Sequence, residues 1–166
     1  MKKRLFEFEC PHCHQKFMMV RDTYLLKDAG SEDYAHLKDQ TFFVHQCQKC
    51  FRLFDLNYPL LYWDPDKDFS VVLTQKKDVE NLDSKKSIVC RKPEQFLFAF
   101  QCLDLDLDIK KMLVIKRKAE KKFGGPCFLL DWDEKSKAAM LKMGKNYFWV
   151  VSDGKFCDES ASIKTP

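Results

Sequence analysis

Eight of the 166 residues are cysteines, and four of them form two CxxC pairs: Cys10-Pro11-His12-Cys13 and Cys47-Gln48-Lys49-Cys50. Two residues between cysteines let one tight turn aim both sulfurs at a single point. Two such turns brought together supply four thiolates in a tetrahedron, the donor set of structural zinc. Cys10, Cys13, Cys47 and Cys50 are therefore the expected ligands of one Zn2+. Four protein donors leave no open coordination position, so the expected metal is structural and not catalytic. The ion's two positive charges do not cancel four thiolates, and the centre must be steadied by backbone N–H groups and nearby cations. Lys16, Lys49 and Arg52 flank the two turns and are candidates.

Other chemistries compete for the same residues. Cys-Pro-His-Cys is also the motif of oxidising thiol–disulfide exchange enzymes, in which a helix N-terminus acidifies the first thiol. Here Phe17-Met18-Met19-Val20 follows the motif and reads as strand, so that helix is missing. A thiol redox enzyme using Cys10 and Cys13 is thus the lesser alternative. His12, His14, His36 and His45 lie near the pairs, and one could replace a cysteine as ligand. Cys90, Cys102, Cys127 and Cys157 share no close spacing and read as small apolar packing residues. Asp64/Asp66/Asp68 and Asp104/Asp106/Asp108 resemble the opening of a calcium loop. Phe69 and Ile109 stand where such a loop needs glycine, and Gln75 and Ile115 where it needs glutamate, which excludes the motif. Residues 110–122 hold seven cations and one acid, Glu120. Such a run can meet phosphates or can be a solvated helix end, and no aromatic residue interleaves with it to stack bases. Neither a phosphate-cradling glycine loop nor a Ser/His/Asp signature is present. No enzymatic activity is expected.

The elements that must position the cysteines follow from the pattern around them. Phe6 and Phe8 alternate with Glu7 and Glu9, a half-buried strand over 4–9 that enters the first turn, and residues 17–20 are its return. Ser31 caps a short helix over 32–39 that begins with acids. Residues 41–45 deliver the second turn and 51–56 leave it. In CxxC knuckles the residue after the second cysteine favours positive φ, a place often held by glycine. His14 and Phe51 hold those places here, and Phe tolerates that backbone less well than His. A hairpin over 60–74 turns at Asp64-Pro65-Asp66-Lys67. Residues 76–86 are polar, without periodicity, and read as a linker.

Beyond it come a short strand over 87–90, a helix opened by Pro93 with Phe96, Phe100 and Leu103 on one face, and a second helix from about 106 to 122. Gly124-Gly125-Pro126 ends that helix. Acids at 104, 106 and 108 and bases at its far end suit the macrodipole. A strand is the alternative for the period-two run 103–108. Strands over 128–132, 138–142 and 147–151 close the chain, with a helix as the alternative at 138–141. The tail after Gly154 is expected to fray.

The fold class is thus α+β: an N-terminal zinc-ribbon-like β element packed with a small sheet and two helices. A boundary is expected near residues 83 and 84, giving a zinc-ribbon half over 1–83 and an α+β half over 84–166. Hydrophobic residues at 45% and charged residues at 33% fit a globular chain and exclude a disordered one. Glu7 and Glu9 interrupt the opening residues before any apolar signal core can form. No stretch approaches the roughly 18 apolar residues of a membrane span. A reduced cytoplasm, in which thiols stay free for metal, is the expected compartment. Net charge is +4, too mild to identify a partner by itself.

Two CxxC turns followed by Asn57-Tyr58-Pro59-Leu60-Leu61-Tyr62 and an acidic turn resemble the bacterial CpXC domain family. The later helix pair and β-rich end also resemble its layout. Cys10-Pro11-His12-Cys13 fits the family motif in full, whereas Gln48 stands where the family has proline. The resemblance carries over to Cys10, Cys13, Cys47 and Cys50, and implies a metal-stabilised domain of bacterial source with no assigned activity. The expected function is a non-enzymatic protein-interaction module with an unidentified protein partner, and Tyr58, Tyr62 and Trp63 are contact candidates whose ordinary role would be core packing. The alternatives are a nucleic-acid-associated ribbon using Lys110–Lys122 and the redox enzyme above.

Overall fold

The computed structural model describes residues 2–79, 82 and 84–151. It is α+β and divides into two units, the first ending at Leu97 and the second beginning at Phe98. Both the expected fraying after Gly154 and Cys157 fall outside the described residues.

The first unit opens with β1 (Lys3–Glu9) and β2 (Lys16–Asp22), an antiparallel pair in register from Lys3↔Asp22 to Glu9↔Lys16. Alternation decides its faces: Phe8 is buried, while Leu5, Met18 and Val20 on the other face are exposed. β3 (Tyr24–Leu26) follows, then α1 (Glu32–Lys38), whose N-cap Ser31 accepts from the Tyr34 N–H. β4 (Val44–Gln46) and β5 (Leu53–Asp55) form a second antiparallel pair. The strand expected over 41–45 begins only at Val44. His36 O accepts from the N–H groups of both Thr41 and Phe42, so the chain wraps the end of α1 before it extends. Phe43 then points inward, with the rings of Phe42, Tyr58 and Phe96 at 5.0, 5.8 and 5.5 Å.

β6 (Leu60–Asp64), β7 (Phe69–Leu73) and β8 (Lys86–Cys90) complete a four-stranded sheet in the order β3-β6-β7-β8. Only β6 and β7 pair antiparallel. β8 follows the polar segment 76–85 yet pairs with β7, so the first unit runs on past the boundary expected at 83/84. Asp64 is fully buried and accepts from the N–H groups of Asp66 and Lys67, and the Lys27 ammonium lies 3.1 Å from its other oxygen. The first acidic triplet is thus a turn device.

α2 (Pro93–Asp104) begins in the first unit and continues into the second. Phe96, Phe100 and Leu103 are all buried, as their spacing predicts. α3 (Ile109–Phe123) starts later than expected, with Asp108 as N-cap accepting from the Lys111 N–H. Asp104 closes α2 and Asp106 lies in the connection, so neither sits in the first turn of α3, which holds no acid. β9 (Phe128–Asp133), β10 (Ala138–Met143) and β11 (Asn146–Val151) form an antiparallel meander in the order β11-β10-β9. The core of the second unit gathers Phe98, Cys102, Met112, Ile115, Ala119, Leu129, Leu141 and Phe148. Among the described residues no helix is long and apolar enough to cross a membrane.

Gly124 ends α3 at φ 75°, where a Cβ would meet nothing within 4 Å but would sit in the left-handed region. Gly124→Ala should therefore cost about 1 kcal/mol through the backbone alone. Thermal denaturation of the purified variant checks this.

Candidate metal centre

The two CxxC turns are the same backbone device built twice. In the first, the Cys10 N–H donates to Gln15 O and the His14 N–H to Cys10 O. In the second, the Cys47 N–H donates to Arg52 O and the Phe51 N–H to Cys47 O. His14 and Phe51 lie at φ 63° and 62°, the positive values expected after the second cysteine. The N–H of His12 reaches Cys10 Sγ, and that of Lys49 reaches Cys47 Sγ, both at 3.4 Å. Each knuckle closes its own turn and points two sulfurs the same way.

Strand β1 enters the first knuckle and β2 leaves it; β4 enters the second and β5 leaves it. Side chains on one face of each pair bring the knuckles together. The Phe17 ring stacks on His45 at 4.8 Å and 15°, and Phe54 meets both edge-on. Burial and the nearby Arg21 charge hold the His45 pKa below its ordinary value, so the ring packs as a neutral aromatic.

The result is one cluster of four sulfurs. Cys10 Sγ lies 3.7 Å from Cys50 Sγ, and Cys13 Sγ lies 3.6 Å from Cys47 Sγ. All four lie within 4.8 Å of one another. Tetrahedral zinc–thiolate bonds of about 2.3 Å place sulfurs about 3.8 Å apart, whereas a disulfide needs about 2.05 Å. The four cysteines are free thiols at the spacing of ligands around one ion. Cys10 and Cys47 are buried, and Cys13 and Cys50 are half-buried.

Electrostatics give the same reading. The N–H groups of Cys50 and Lys49 pull the Cys47 thiol down to about 6. At Cys50 the Arg52 N–H pulls downward, but burial and the neighbouring sulfurs outweigh it and push the thiol up to about 11. Sulfurs this close resist ionising together without a cation, and a divalent ion removes the conflict. The donor set therefore fits a metal such as zinc, held by Cys10, Cys13, Cys47 and Cys50. Its part would be to lock the two hairpins, since four protein donors fill a tetrahedral shell.

The other sequence candidates fall outside the cluster. His14 Nδ1 lies 3.0 Å from Glu9, and His36 Nδ1 lies 2.8 Å from Thr41 Oγ1. No histidine is needed to complete the four donors. Lys16 Nζ lies 3.5 Å from Glu7, while Lys49 and Arg52 serve the knuckle through their backbones. Cys90, Cys102 and Cys127 are buried, and burial first of all pushes their thiols up to about 11, 12 and 11. They are protonated packing residues, as expected. Tyr58 and Tyr62 are buried at 3% and 1% exposure, so core packing holds for both and neither presents a contact surface. Sequence reasoning passed over the packing role of Phe17 and Phe54 and took His45 only as a possible ligand. Their signal was the inward-facing aromatic placed two to four residues from a cysteine in each hairpin.

Phe51 offers a local test. Its ring is 68% exposed, yet its backbone sits where a Cβ is strained. A left-handed residue costs roughly 1–2 kcal/mol, partly offset by the entropy that glycine loses on folding. Phe51→Gly should stabilise the protein by about 0.5–1 kcal/mol, read as a raised midpoint in denaturant.

Two knuckles converging on one centre in an α+β fold define a class of protein: a domain built round four cysteines able to hold a metal ion. This chain belongs to the CpXC protein family, whose sequence profile matches residues 9–121. No curated protein and no solved structure matches the chain.

Proposed function

We propose that the chain is a zinc-stabilised, non-enzymatic module of the bacterial cytoplasm whose N-terminal unit docks another protein. The observation that carries this reading is the convergence of four free sulfurs at ligand spacing. An all-sulfur tetrahedral set selects zinc or iron among the common divalent ions. The ion closes the knuckles and so fixes the β1–β2 hairpin. That hairpin carries Leu5 at 61% exposure directly across from Val20 at 55%, with Met18 at 56% beside them. An outward apolar face on a rigid hairpin suits a protein partner. The buried Tyr58 and Tyr62 are replaced in this role by Leu5, Met18 and Val20, while the half-buried Trp63 stays a contact candidate.

The redox reading is weaker on a direct observation. The chain leaves Cys13 through His14 and enters β2 at Lys16, so no helix N-terminus follows the Cys-Pro-His-Cys turn to hold a thiolate.

Native mass spectrometry of the untagged protein should show one zinc per chain. A Leu5→Lys, Val20→Lys variant should keep that zinc and lose proteins retained by the wild type. Loss of zinc stoichiometry in the wild type, or an unchanged set of retained proteins in the variant, contradicts the corresponding half of the proposal.

A further inference from the structure

We infer that the exposed face of α3 is a docking surface for duplex nucleic acid, gripping its phosphate backbone without reading bases. This is a property of the second unit and does not rest on the metal centre. At 100° per residue, Lys110, Arg117 and Lys121 form one row along the helix, and Lys111, Lys118 and Lys122 form a second. All six side chains are exposed, whereas Met112, Ile115 and Ala119 on the far side enter the core. The two rows span an arc of roughly 140° and an axial length of roughly 18 Å. Glu120, the helix's one acid, is engaged by the Lys116 ammonium and the Cys127 N–H. Among the described residues, Lys110, Lys111, Arg117, Lys118 and Lys121 have no carboxylate at ion-pair distance.

Helix stability does not account for this face. Cations in the last turn suit the macrodipole, but Lys110 and Lys111 stand in the first turn, where they oppose it and where the N-cap Asp108 is the one acid beside them. Like charges at Arg117/Lys121 and Lys118/Lys122 repel as i,i+4 pairs. The helix carries a charge pattern that weakens it, which a polyanion would relieve.

The partner's chemistry follows from what accompanies the cations. Val114 is the one exposed apolar residue between the two rows, and a membrane-surface helix needs a whole apolar face for the acyl boundary. The apolar face of α3 is already spent on the core. Single strands need exposed rings to stack on. Phe123, at the end of the helix, is 42% exposed, but it is a single ring off the line of the two rows and is tilted against Phe148 at 4.6 Å, not a stacking platform. No Asn or Gln lies within α3 to read adenine edges, and its cations are spread along roughly 18 Å of two rows, which suits a line of phosphates better than one guanine edge. Closely repeated phosphates remain, and a duplex presents one charge per about 1.7 Å of axis.

The test uses the full chain, metal-loaded, with fluorescein-labelled DNA and RNA duplexes of about 20 base pairs in anisotropy titrations. Binding should be independent of sequence. The logarithm of affinity should fall with the logarithm of salt at a slope of about −4, or roughly two to three orders of magnitude between 50 and 200 mM. The relative affinity of the two arms identifies DNA or RNA as the source. R117E with K118E should weaken binding about tenfold or more and flatten the slope by about 2. K135E with K145E makes the same change in net charge on the turns of the β9–β11 sheet and should leave the slope unchanged. Both pairs are exposed, and circular dichroism of each variant confirms folding. Equal losses in the two double variants, a slope near zero, or stronger binding to phosphatidylserine vesicles or polyglutamate than to either duplex would overturn the inference.

Discussion

Cys47→Ser should strip hydrogen-exchange protection from β1, β2, β4 and β5 while β9, β10 and β11 keep theirs. The two hairpins around the centre are short, and isolated two-stranded hairpins are marginal at best in water. Metal binding at a structural four-ligand site is worth about 10–16 kcal/mol at neutral pH, and much of it appears as folding free energy. A whole domain has only about 5–15 kcal/mol to lose. Cys47 is 1% exposed and receives the Lys49 N–H, so serine there removes a ligand and leaves a buried hydroxyl in its place. A chelator added to the wild type should reproduce the same pattern. Exchange measured by mass spectrometry, segment by segment, reads both. Uniform protection in the variant would show that the hairpins hold without the centre.

The next largest effect belongs to Phe43, and it tests the first unit away from the sulfurs. Its side chain is fully buried and touches three rings edge-on. Phe43→Ala should cost about 3–5 kcal/mol, from lost transfer energy, the cavity left behind and the ring pairs. With a slope of about 2 kcal/mol per molar urea, the midpoint of the first unit should move by roughly 2 M. Leu53→Ala, at 63% exposure, should stay within about 0.5 kcal/mol. Urea titration of the three proteins side by side decides between a packed aromatic core and a unit held by metal alone.

These two effects mark where the sequence was informative. The sulfur cluster was legible because CxxC is a local geometric device: four positions, two turns and the unusual φ at His14 and Phe51 all follow from short-range chemistry. Ser31 as a cap and Gly124 as a stop were legible for the same reason. What escaped was non-local. Nothing in residues 76–85 says that β8 returns to pair with β7, since that stretch of sequence is polar and carries no periodicity. The start of α3 slipped because three aspartates shared the same spacing, and only the fold decides that Asp108 is the cap and Asp104 the end of α2. Phe42 and Phe43 read as strand from their type, but the N–H groups of Thr41 and Phe42 both donate to His36 O and turn the chain there before it extends. The clasp of Phe17, His45 and Phe54 was hidden because each ring is unremarkable until the two hairpins meet.

X-ray absorption at the zinc edge of the purified, untagged protein probes the centre itself. Four sulfur scatterers at about 2.3 Å, in a sample holding one zinc per chain, is the expected result. Nitrogen or oxygen scatterers near 2.0 Å in place of any sulfur, or a folded chain without stoichiometric metal, would contradict it.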